Sequence, residues 1–511
     1  MTIHGTSSEP GHQHHGEDEP FLSREQQNEP GAPGQSKCSS RPDSEISPRT
    51  RLRLLITLIV ILLSFEIGGQ MIPGPMIRII EAIACDNYWR HHDPARLPVS
   101  GHLPEHLCKI AEVQTEVATV KGYSDLLEGL LCAICAIPYG LLADRYGRRR
   151  AIRLTVPGFL LNAVITNSVL WFSNVLPLRA IWLASLSWII GGGPAVALVV
   201  IWTMLADLTS DAQRATLFFR VGVAGQVASF LASMISSGLM ALNPWIPLLL
   251  GCGIVMTGLG CALSLPETMN MVVKRQESTA PRSDHEQEPT SNTSWKPESA
   301  YLPLPTKIRR LMQPYLFVFN PCILLLLFSF GTVEVAQRAS SFLSQHISTQ
   351  FTWTLARANL IVSLHAAITI PVFLFLLPYL SKKVFHSLSL PRRDLQVARL
   401  SLIALLLGSL GIGLSPSAYA LIASVCVHAM GVGLPIVTRS LATALVNREE
   451  TARLYSAIEL LQFVGTVLGS LCFTNVFNLG LRIGGIGTGL VWVLGSLLYA
   501  LVGLALALVW V

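Results

Sequence analysis

The sequence predicts an all-α integral membrane protein with twelve spanning helices in two sets of six. Hydrophobic residues make up 51% of the 511 residues and charged residues only 13%, about half the charged share of a typical soluble protein. Because a membrane-spanning helix uses about 20 apolar residues, the composition could supply up to about twelve or thirteen spans. These values argue against a soluble enzyme of this length.

The apolar segments fall into two groups on either side of a polar stretch. The first group covers residues 54–76, 122–143, 152–172, 180–205, 215–240 and 244–265, and the second covers residues 316–337, 358–380, 398–415, 417–440, 454–477 and 486–510. We therefore expect an N-terminal six-helix bundle at 51–265, a cytoplasmic central linker at 266–313 and a C-terminal bundle at 314–511. Residues 1–50 contain no apolar run and predict a disordered cytoplasmic tail.

The basic residues predict the orientation of the spans. With both termini in the cytoplasm, the cytoplasmic segments hold 28 of the 37 Lys and Arg residues. Lys and Arg near the ends of spans are retained on the cytoplasmic side, so this orientation is favoured. The net charge of +6 is thereby explained by topology, and a nucleic-acid partner loses its support because no basic face is needed to account for the charge.

The two sets of spans show signs of an internal duplication. The dipeptide Pro138-Tyr139 near the end of span 2 recurs as Pro378-Tyr379 in span 8, at an offset of 240 residues. Transporters built from such repeats hold their substrate between the two halves, near the bilayer midplane. We therefore expect a central substrate site.

The loop between spans 2 and 3 reads GLLADRYGRRR at residues 140–150. Gly140 would allow a neighbouring helix to approach closely, and Gly147 would permit the tight turn between antiparallel spans. Asp144 can accept hydrogen bonds from a helix N-terminus or pair with an arginine. The alternative is a basic loop that sets the topology and has no moving part.

This run matches the signature G-x-x-x-D-R-x-G-R-R, and through it residues 50–511 resemble the major facilitator superfamily. The resemblance implies the twelve-helix major facilitator fold of two pseudo-symmetric six-helix bundles. It also implies that the loop, including Arg145, locks the outward-open state by contact with span 11. Arg148 and Arg149 would anchor the cytoplasmic face, and Asp207 at the end of span 4 would complete the charge relay.

A finer resemblance to fungal-type facilitators rests on the run IPYGLLADRYGRR and on Leu265-Pro266-Glu267-Thr268 after span 6. Two other subgroups fit less well. Span 5 lacks the proline of the Gly-Pro signature that drug/proton antiporters carry, and the chain after span 6 lacks the Pro-Glu-Ser-Pro-Arg run of sugar porters.

Carboxylates within the apolar spans are candidates for proton coupling or substrate binding. An ionisable side chain at the membrane centre costs about 2.5–3.5 kcal/mol on insertion scales and therefore suggests a functional site. Glu66 and Gln70 lie one turn apart in span 1, and Glu334 and Gln337 lie in the equivalent span 7. We expect these pairs to face each other across the cavity. Alternatively, Glu66 caps a helix break before Pro73, or Glu334 lies in water.

Other ionisable residues in the spans have two interpretations each. His365 in span 8 could titrate near neutral pH or pack as a neutral side chain. Arg220 in span 5 and Glu459 in span 11, at an offset of 239, are candidate inner-gate charges, although Arg220 could instead extend to the interface. Asp125 and Glu128 at the expected start of span 2 are interpreted as residues of a wet vestibule.

Cys85 and Cys108 lie in the expected external loop, where an oxidising compartment permits a disulfide. Whether they are bridged is left open by the sequence. The chain contains no Walker nucleotide-binding motif. We expect no catalytic residues, cofactor or bound metal.

Together these features predict secondary active transport by alternating access, with a small-molecule substrate and the lipid bilayer as partners. Proton-coupled export of a hydrophobic metabolite or drug is the first interpretation. Proton-coupled uptake of a nutrient or vitamin is an alternative, and so is a receptor that senses without transporting. The end of the chain at Val511 directly after the last span favours transport. We expect a monomer in the plasma membrane rather than the vacuolar membrane.

Overall fold

The computed structural model describes residues 48–94, 103–209, 211–265, 320–446 and 450–510. Within these ranges it contains helices and no β-strand, and twelve helical segments are long and apolar enough to cross a membrane. The predicted number of spans and their division into six and six are thereby confirmed. The expectations for the N-terminal tail before residue 48 and for the central linker concern residues outside those described.

The spans of the N-terminal half are formed by helices Pro48–Met71 and Pro73–His92 (span 1), Ala111–Tyr146 (span 2), Arg148–Trp171 (span 3), 178–189 and Gly193–Leu208 (span 4), Asp211–Leu242 (span 5) and Trp245–Leu263 (span 6). Those of the C-terminal half are Pro321–Gln337 with 338–351 (span 7), Leu355–Pro371 with 372–384 (span 8), Leu390–Leu414 (span 9), Ala418–Met430 and Leu434–Ala444 (span 10), Thr451–Ile483 (span 11) and Leu490–Leu508 (span 12).

Two spans are longer than their apolar segments. Span 1 continues as a helix to His92, and span 2 begins at Ala111 rather than near residue 122. Hydropathy marks where the chain is apolar, whereas a helix continues as long as its backbone hydrogen bonds are formed, so polar turns extend both spans. Asp125 and Glu128 consequently lie about four turns into span 2, and their assignment to the start of that span is wrong.

Glycines break spans 4 and 10 at equivalent places. Gly191, Gly192 and Gly193 have φ values of 91°, 78° and 72°, which favour glycine because a Cβ atom disfavours positive φ. The helices of span 10 are separated at Gly431–Gly433, 240 residues later. The break therefore repeats at the offset that the sequence duplication shows.

Each half has its own apolar core. In the N-terminal half Leu58, Ile61, Ile152, Ile201 and Met204 belong to one buried cluster, with no member beyond residue 265. The corresponding cluster of the C-terminal half draws all its members from residues 323–509. The described residues thus form two bundles, which meet along a separate seam.

Glycine allows close helix contacts inside a half. A Cβ atom on Gly158 of span 3 would fall on the carbonyl oxygen of Ile190 in span 4. Span 6 packs on span 1 in a similar way, since a Cβ atom on Gly251 would lie 2.9 Å from Cγ1 of Ile72. Small residues at such contacts let helix backbones approach in a membrane, where packing supplies much of the association energy.

We predict that Gly158→Ala destabilises the protein. The added methyl group meets a backbone carbonyl, which cannot rotate away, so spans 3 and 4 must separate at a cost of about 1–3 kcal/mol. The melting temperature of the detergent-solubilised variant, followed by size-exclusion chromatography, should fall.

Gly253→Ala is the matched control, because a Cβ atom there has nothing within 4 Å. Its melting temperature should equal or slightly exceed that of the parent, since alanine is the better helix former. Equal melting temperatures for both variants would contradict the close contact at Gly158.

Candidate functional site

A polar cavity lies between the two halves near the middle of the spans. Its volume is about 410 Å³. The polar residues of its lining are Glu66, Gln70, Gln226, Ser229, Ser233, Ser340, His365, Thr369 and His428. No Lys or Arg belongs to the lining as far as the chain is described, so Glu66 and the two imidazoles are its ionisable groups.

The N-terminal wall of the cavity is organised around Glu66. Its carboxylate accepts a hydrogen bond from the Ser229 hydroxyl of span 5 at 3.0 Å. A Cβ atom on Gly225 would lie 3.6 Å from Cγ of Glu66, so the glycine leaves room for the carboxylate. Gln70 is exposed in the cavity one turn away. The geometry places Glu66 in the cavity and does not support the alternative of a helix cap before Pro73.

The C-terminal wall contains a pair of histidines. Nε2 of His365 in span 8 lies 3.2 Å from Nδ1 of His428 in span 10. The ring of Trp492 packs edge-on against His428, with centroids 5.8 Å apart. Sequence reasoning named His365 and missed His428. The search for ionisable residues inside apolar spans could have found His428 as well, since it lies three residues before the Gly431 break.

The second expected pair, the Glu334 carboxylate and the Gln337 amide of span 7, does not line this cavity. Glu334 accepts a hydrogen bond from Arg338 at 2.7 Å and from the Thr466 hydroxyl of span 11 at 3.1 Å. Gln337 is half-buried, and its backbone carbonyl accepts from the Ser340 hydroxyl. The expected facing pairs are therefore wrong for span 7, because Arg338 one turn away holds Glu334 against span 11.

The loop between spans 2 and 3 turns at Gly147, whose φ of 96° favours glycine as expected. Arg148 donates to the carbonyl of Thr203 in span 4 at 2.9 Å, so it ties the loop to the end of that span. Arg145 is exposed. The expected close helix approach at Gly140 is wrong, since a Cβ atom there would have nothing within 4 Å.

Three further residues of the expected gate can be placed only in part. Arg149 is half-buried beside Arg148. Asp144 and Asp207 lie near the ends of the helices of spans 2 and 4, but their side chains are outside the described part of the structure. The charge relay that the resemblance implies therefore stays a prediction.

The candidate inner-gate charges are not adjacent. Arg439 of span 10 donates to the Glu459 carboxylate at 3.0 Å and to the Gln462 side chain at 2.9 Å. Arg220 is exposed.

Between spans 5, 8, 9 and 10 lies a second cavity of about 580 Å³, whose lining includes Gln226 and Asp394.

A buried charge pair lies at the far end of the bundle, which we name the disulfide end because Cys85 and Cys108 are joined there by a disulfide. The Glu81 carboxylate accepts hydrogen bonds from Lys109 at 2.6 Å and from Gln114 at 2.6 Å. Glu81 and Lys109 are 1% and 3% exposed. Cys108 and Lys109 are adjacent, so the disulfide also holds this charge pair together.

The two halves are hydrogen-bonded to each other at the disulfide end. The side chain of Gln345 donates to Gln114 at 2.9 Å, and the Glu105 carboxylate accepts from the backbone of Leu355 at 2.7 Å. Further contacts along the seam join Asn478 to Thr119, Asn359 to Ser237 and Ser363 to Ser233, at 3.0, 2.8 and 2.7 Å. Toward the loop 2/3 end, by contrast, the second cavity separates span 5 from spans 8 and 10.

Comparison with known proteins gives this arrangement a family. The chain is 41% identical over 494 residues to the MFS-type transporter aprT of Aspergillus flavus, covering 96% of this chain and 94% of that protein. It is 30% identical over 487 residues to the MFS efflux pump atnC of Emericella nidulans, covering 94% and 90%. The structure resembles the nucleoside transporter NupG in fold, with a TM-score of 0.57, 14% identity and coverage of 89% and 98%.

A family-wide sequence model agrees with these relatives. Residues 119–470 match the description of the Major Facilitator Superfamily. That match covers more than half of the chain. It runs from span 2 to span 11 and includes the whole Gly140–Arg150 signature. This chain therefore belongs to the Major Facilitator Superfamily of membrane transporters.

Proposed function

We propose that the chain exports a small organic solute by alternating access and that a proton gradient drives the export. The observation that carries the proposal is the polar central cavity. Hydrogen bonds between the halves close it off from the disulfide end. The name of the relative atnC, an efflux pump, supports export. The proposed unit is a monomer in which the two bundles, 51–265 and 314–511, rock about the seam.

The orientation follows from two independent features. Disulfides form in oxidising compartments, which favours the outside for Cys85 and Cys108. The loop 2/3 end carries the basic residues that are retained in the cytoplasm. In this orientation the closed disulfide end is the external end. The structure therefore resembles the state in which a transporter takes up a solute from the cytoplasm. The proposed location is the plasma membrane.

The lining of the cavity favours an uncharged or cationic solute with hydrogen-bonding groups. Glu66 supplies a carboxylate, while Gln70 and Gln226 supply amides that can both donate and accept. Trp492 and Phe373 supply aromatic surface. A permanently anionic solute would meet the Glu66 charge without a fixed cation among the described lining residues.

Opening of the disulfide end requires the contacts between the halves to break. The hydrogen bonds of Gln345 with Gln114 and of Glu105 with Leu355 would be replaced by water, which limits the net cost to about 0.5–1.5 kcal/mol for the neutral bond and about 1.5–3 kcal/mol for the bond to the carboxylate. In the opposite state we assign the lock at the loop 2/3 end to Asp144 with the loop arginines and to Asp207. Arg220 and Glu459 are proposed as inner-gate charges near that end.

Transport by purified protein in lipid vesicles tests the proposed function. An imposed pH gradient should drive a cationic aromatic probe such as rhodamine 6G, and fluorescein should serve as the anionic comparison. Proton-driven movement away from the loop 2/3 side supports export. Movement in the other direction would favour the uptake alternative, and absence of movement for every solute in a wider panel would favour the receptor.

We predict that Glu66→Gln weakens the dependence of transport on the pH gradient. The amide keeps the size of the side chain and its hydrogen bond with Ser229 but cannot bind a proton. The measurement is the initial rate of rhodamine 6G movement in vesicles at several imposed pH gradients.

Glu112→Gln is the control, because Glu112 is an exposed carboxylate at the disulfide end, away from the cavity. It should transport as the parent does. Unchanged proton coupling in Glu66→Gln would remove Glu66 from the mechanism.

We predict that a covalent bond across the seam stops transport. Asn478 donates to Thr119 at 3.0 Å, so the double variant Thr119→Cys with Asn478→Cys should form a disulfide on oxidation and hold the disulfide end closed. Oxidised vesicles should lose transport, and a reductant should restore it.

Each single cysteine variant controls for the substitutions, and reductant-treated parent controls for loss of the native disulfide. Full transport by the cross-linked protein would show that this end need not open, against the proposed alternating access.

A further inference from the structure

The histidine pair of the central cavity has a geometry that links two spans through one hydrogen bond. His365 Nε2 and His428 Nδ1 are 3.2 Å apart, and both residues line the cavity. His365 is half-buried and His428 is 6% exposed. The pair is therefore reachable from the cavity on one side and enclosed on the other.

Two neutral imidazoles at this distance can together bind one additional proton but not two. A neutral imidazole has one donor and one acceptor nitrogen, so a neutral pair forms one N–H···N hydrogen bond. If one ring gains a proton, the resulting imidazolium still donates to its neutral neighbour and the bond is kept. If both rings are charged, two N–H groups face each other and two like charges lie close together in a low-dielectric setting, which is strongly unfavourable.

We propose that His365 and His428 form a single one-proton site, which is the counterpart of Glu66 on the opposite wall of the cavity. This inference rests on the proposed proton coupling and deepens it. Protonation converts the neutral pair to a cation: hydronium in the cavity gives its proton to the free ring nitrogen and leaves as water, while the hydrogen bond between the rings is kept. Interacting groups of this kind titrate as a unit rather than as separate residues.

The surroundings of the pair are poor in competing charges. Among the described residues that face it, Glu66 of span 1 and the hydroxyl of Tyr499 in span 12 are the titratable groups. Span 5 presents Gln226 and serines, and span 9 presents Ile412. In span 7, Glu334 is paired with Arg338.

The backbone fixes the position of His428. A Cβ atom on Gly408 of span 9 would lie 2.5 Å from the Cα atom of His428 and 2.6 Å from its Cβ atom, so span 9 packs directly against this turn of span 10. On the other side, the Gly431 amide donates to the His428 carbonyl at 3.0 Å. The ring is thus held toward His365 by its neighbours.

One proton on the pair changes the charge of the whole cavity. With Glu66 ionised, the lining is negative when the pair is neutral and carries no net charge when the pair is protonated. A cationic solute is therefore favoured by the neutral pair and disfavoured by the protonated one. Competition of this kind would couple release of the solute to uptake of one proton by the pair.

Proton binding can be measured without a transported solute. Parent and variant proteins in vesicles of phosphatidylcholine are adsorbed to a solid-supported membrane, and a pH jump gives a capacitive current from protons that enter the cavity. His365→Gln and His428→Asn place an amide near the bonded nitrogen and cannot bind the proton. The double variant should lose the current of one proton per protein, and each single variant, which keeps one imidazole, should lose no more than the double variant does.

A double variant that loses the current of two protons per protein would overturn the shared site. His386→Gln is the matched control, because His386 is exposed at the end of span 8, and its current should equal that of the parent. Glu66→Gln should remove a separate part of the current, additive with the loss in the histidine variants. A current that is unchanged in all histidine variants would also overturn the proposal.

A measurement on the parent protein guards against variants that fail to fold. With ¹⁵N-labelled histidine in phosphatidylcholine nanodiscs, His365 and His428 should show one common titration step in their nitrogen shifts. Two independent steps would contradict the shared proton. Because neither measurement uses a transported solute, a one-proton pair without pH-driven transport would reject the proposed function and keep this site.

Discussion

A polar group inside the bilayer is stabilised by a partner within the protein, and this constraint accounts for where the chain places many of its polar residues. Lipid offers no hydrogen bonds, so an unsatisfied group is costly. The hydroxyl and amide side chains of spans 2, 5, 8 and 11 accordingly meet along the seam, as Ser233 does with Ser363 and Thr119 with Asn478. The apolar clusters around Leu58 and around Leu326, by contrast, each contain residues of one half alone.

Opening of the seam exchanges its hydrogen bonds for bonds with water and exposes some apolar surface, since Leu355 packs in an apolar cluster of the N-terminal half and Ala118 in one of the C-terminal half. Hydrogen bonds between Gln345 and Gln114 have water as a ready substitute, whereas separated apolar cores would not. The buried pair of Glu81 and Lys109 lies within the N-terminal half, so it need not be broken when the halves part. The charge pair thus lies within one half, whereas the hydrogen bonds that must break lie between the halves.

The architecture could be predicted further than the site. Number and order of the spans follow from apolar segments, and Glu66 was found because a carboxylate in such a segment is conspicuous. The position of the Glu334 side chain could not be predicted, because it depends on whether the side chain pairs with Arg338 or extends into the cavity. The packing at Gly140 and the pairing of His365 with His428 depend on contacts between residues distant in sequence, and no local pattern specifies them.

The disulfide between Cys85 and Cys108 has a consequence for the direction of transport in the cell. Disulfides form in oxidising compartments, one of which is the lumen of the endoplasmic reticulum, where the secretory route begins. That lumen is topologically equivalent to the interior of a vacuole or vesicle and to the space outside the cell. With the proposed orientation and the proposed export, solute would leave the cytosol in every one of these membranes, and sorting alone would decide between secretion and storage.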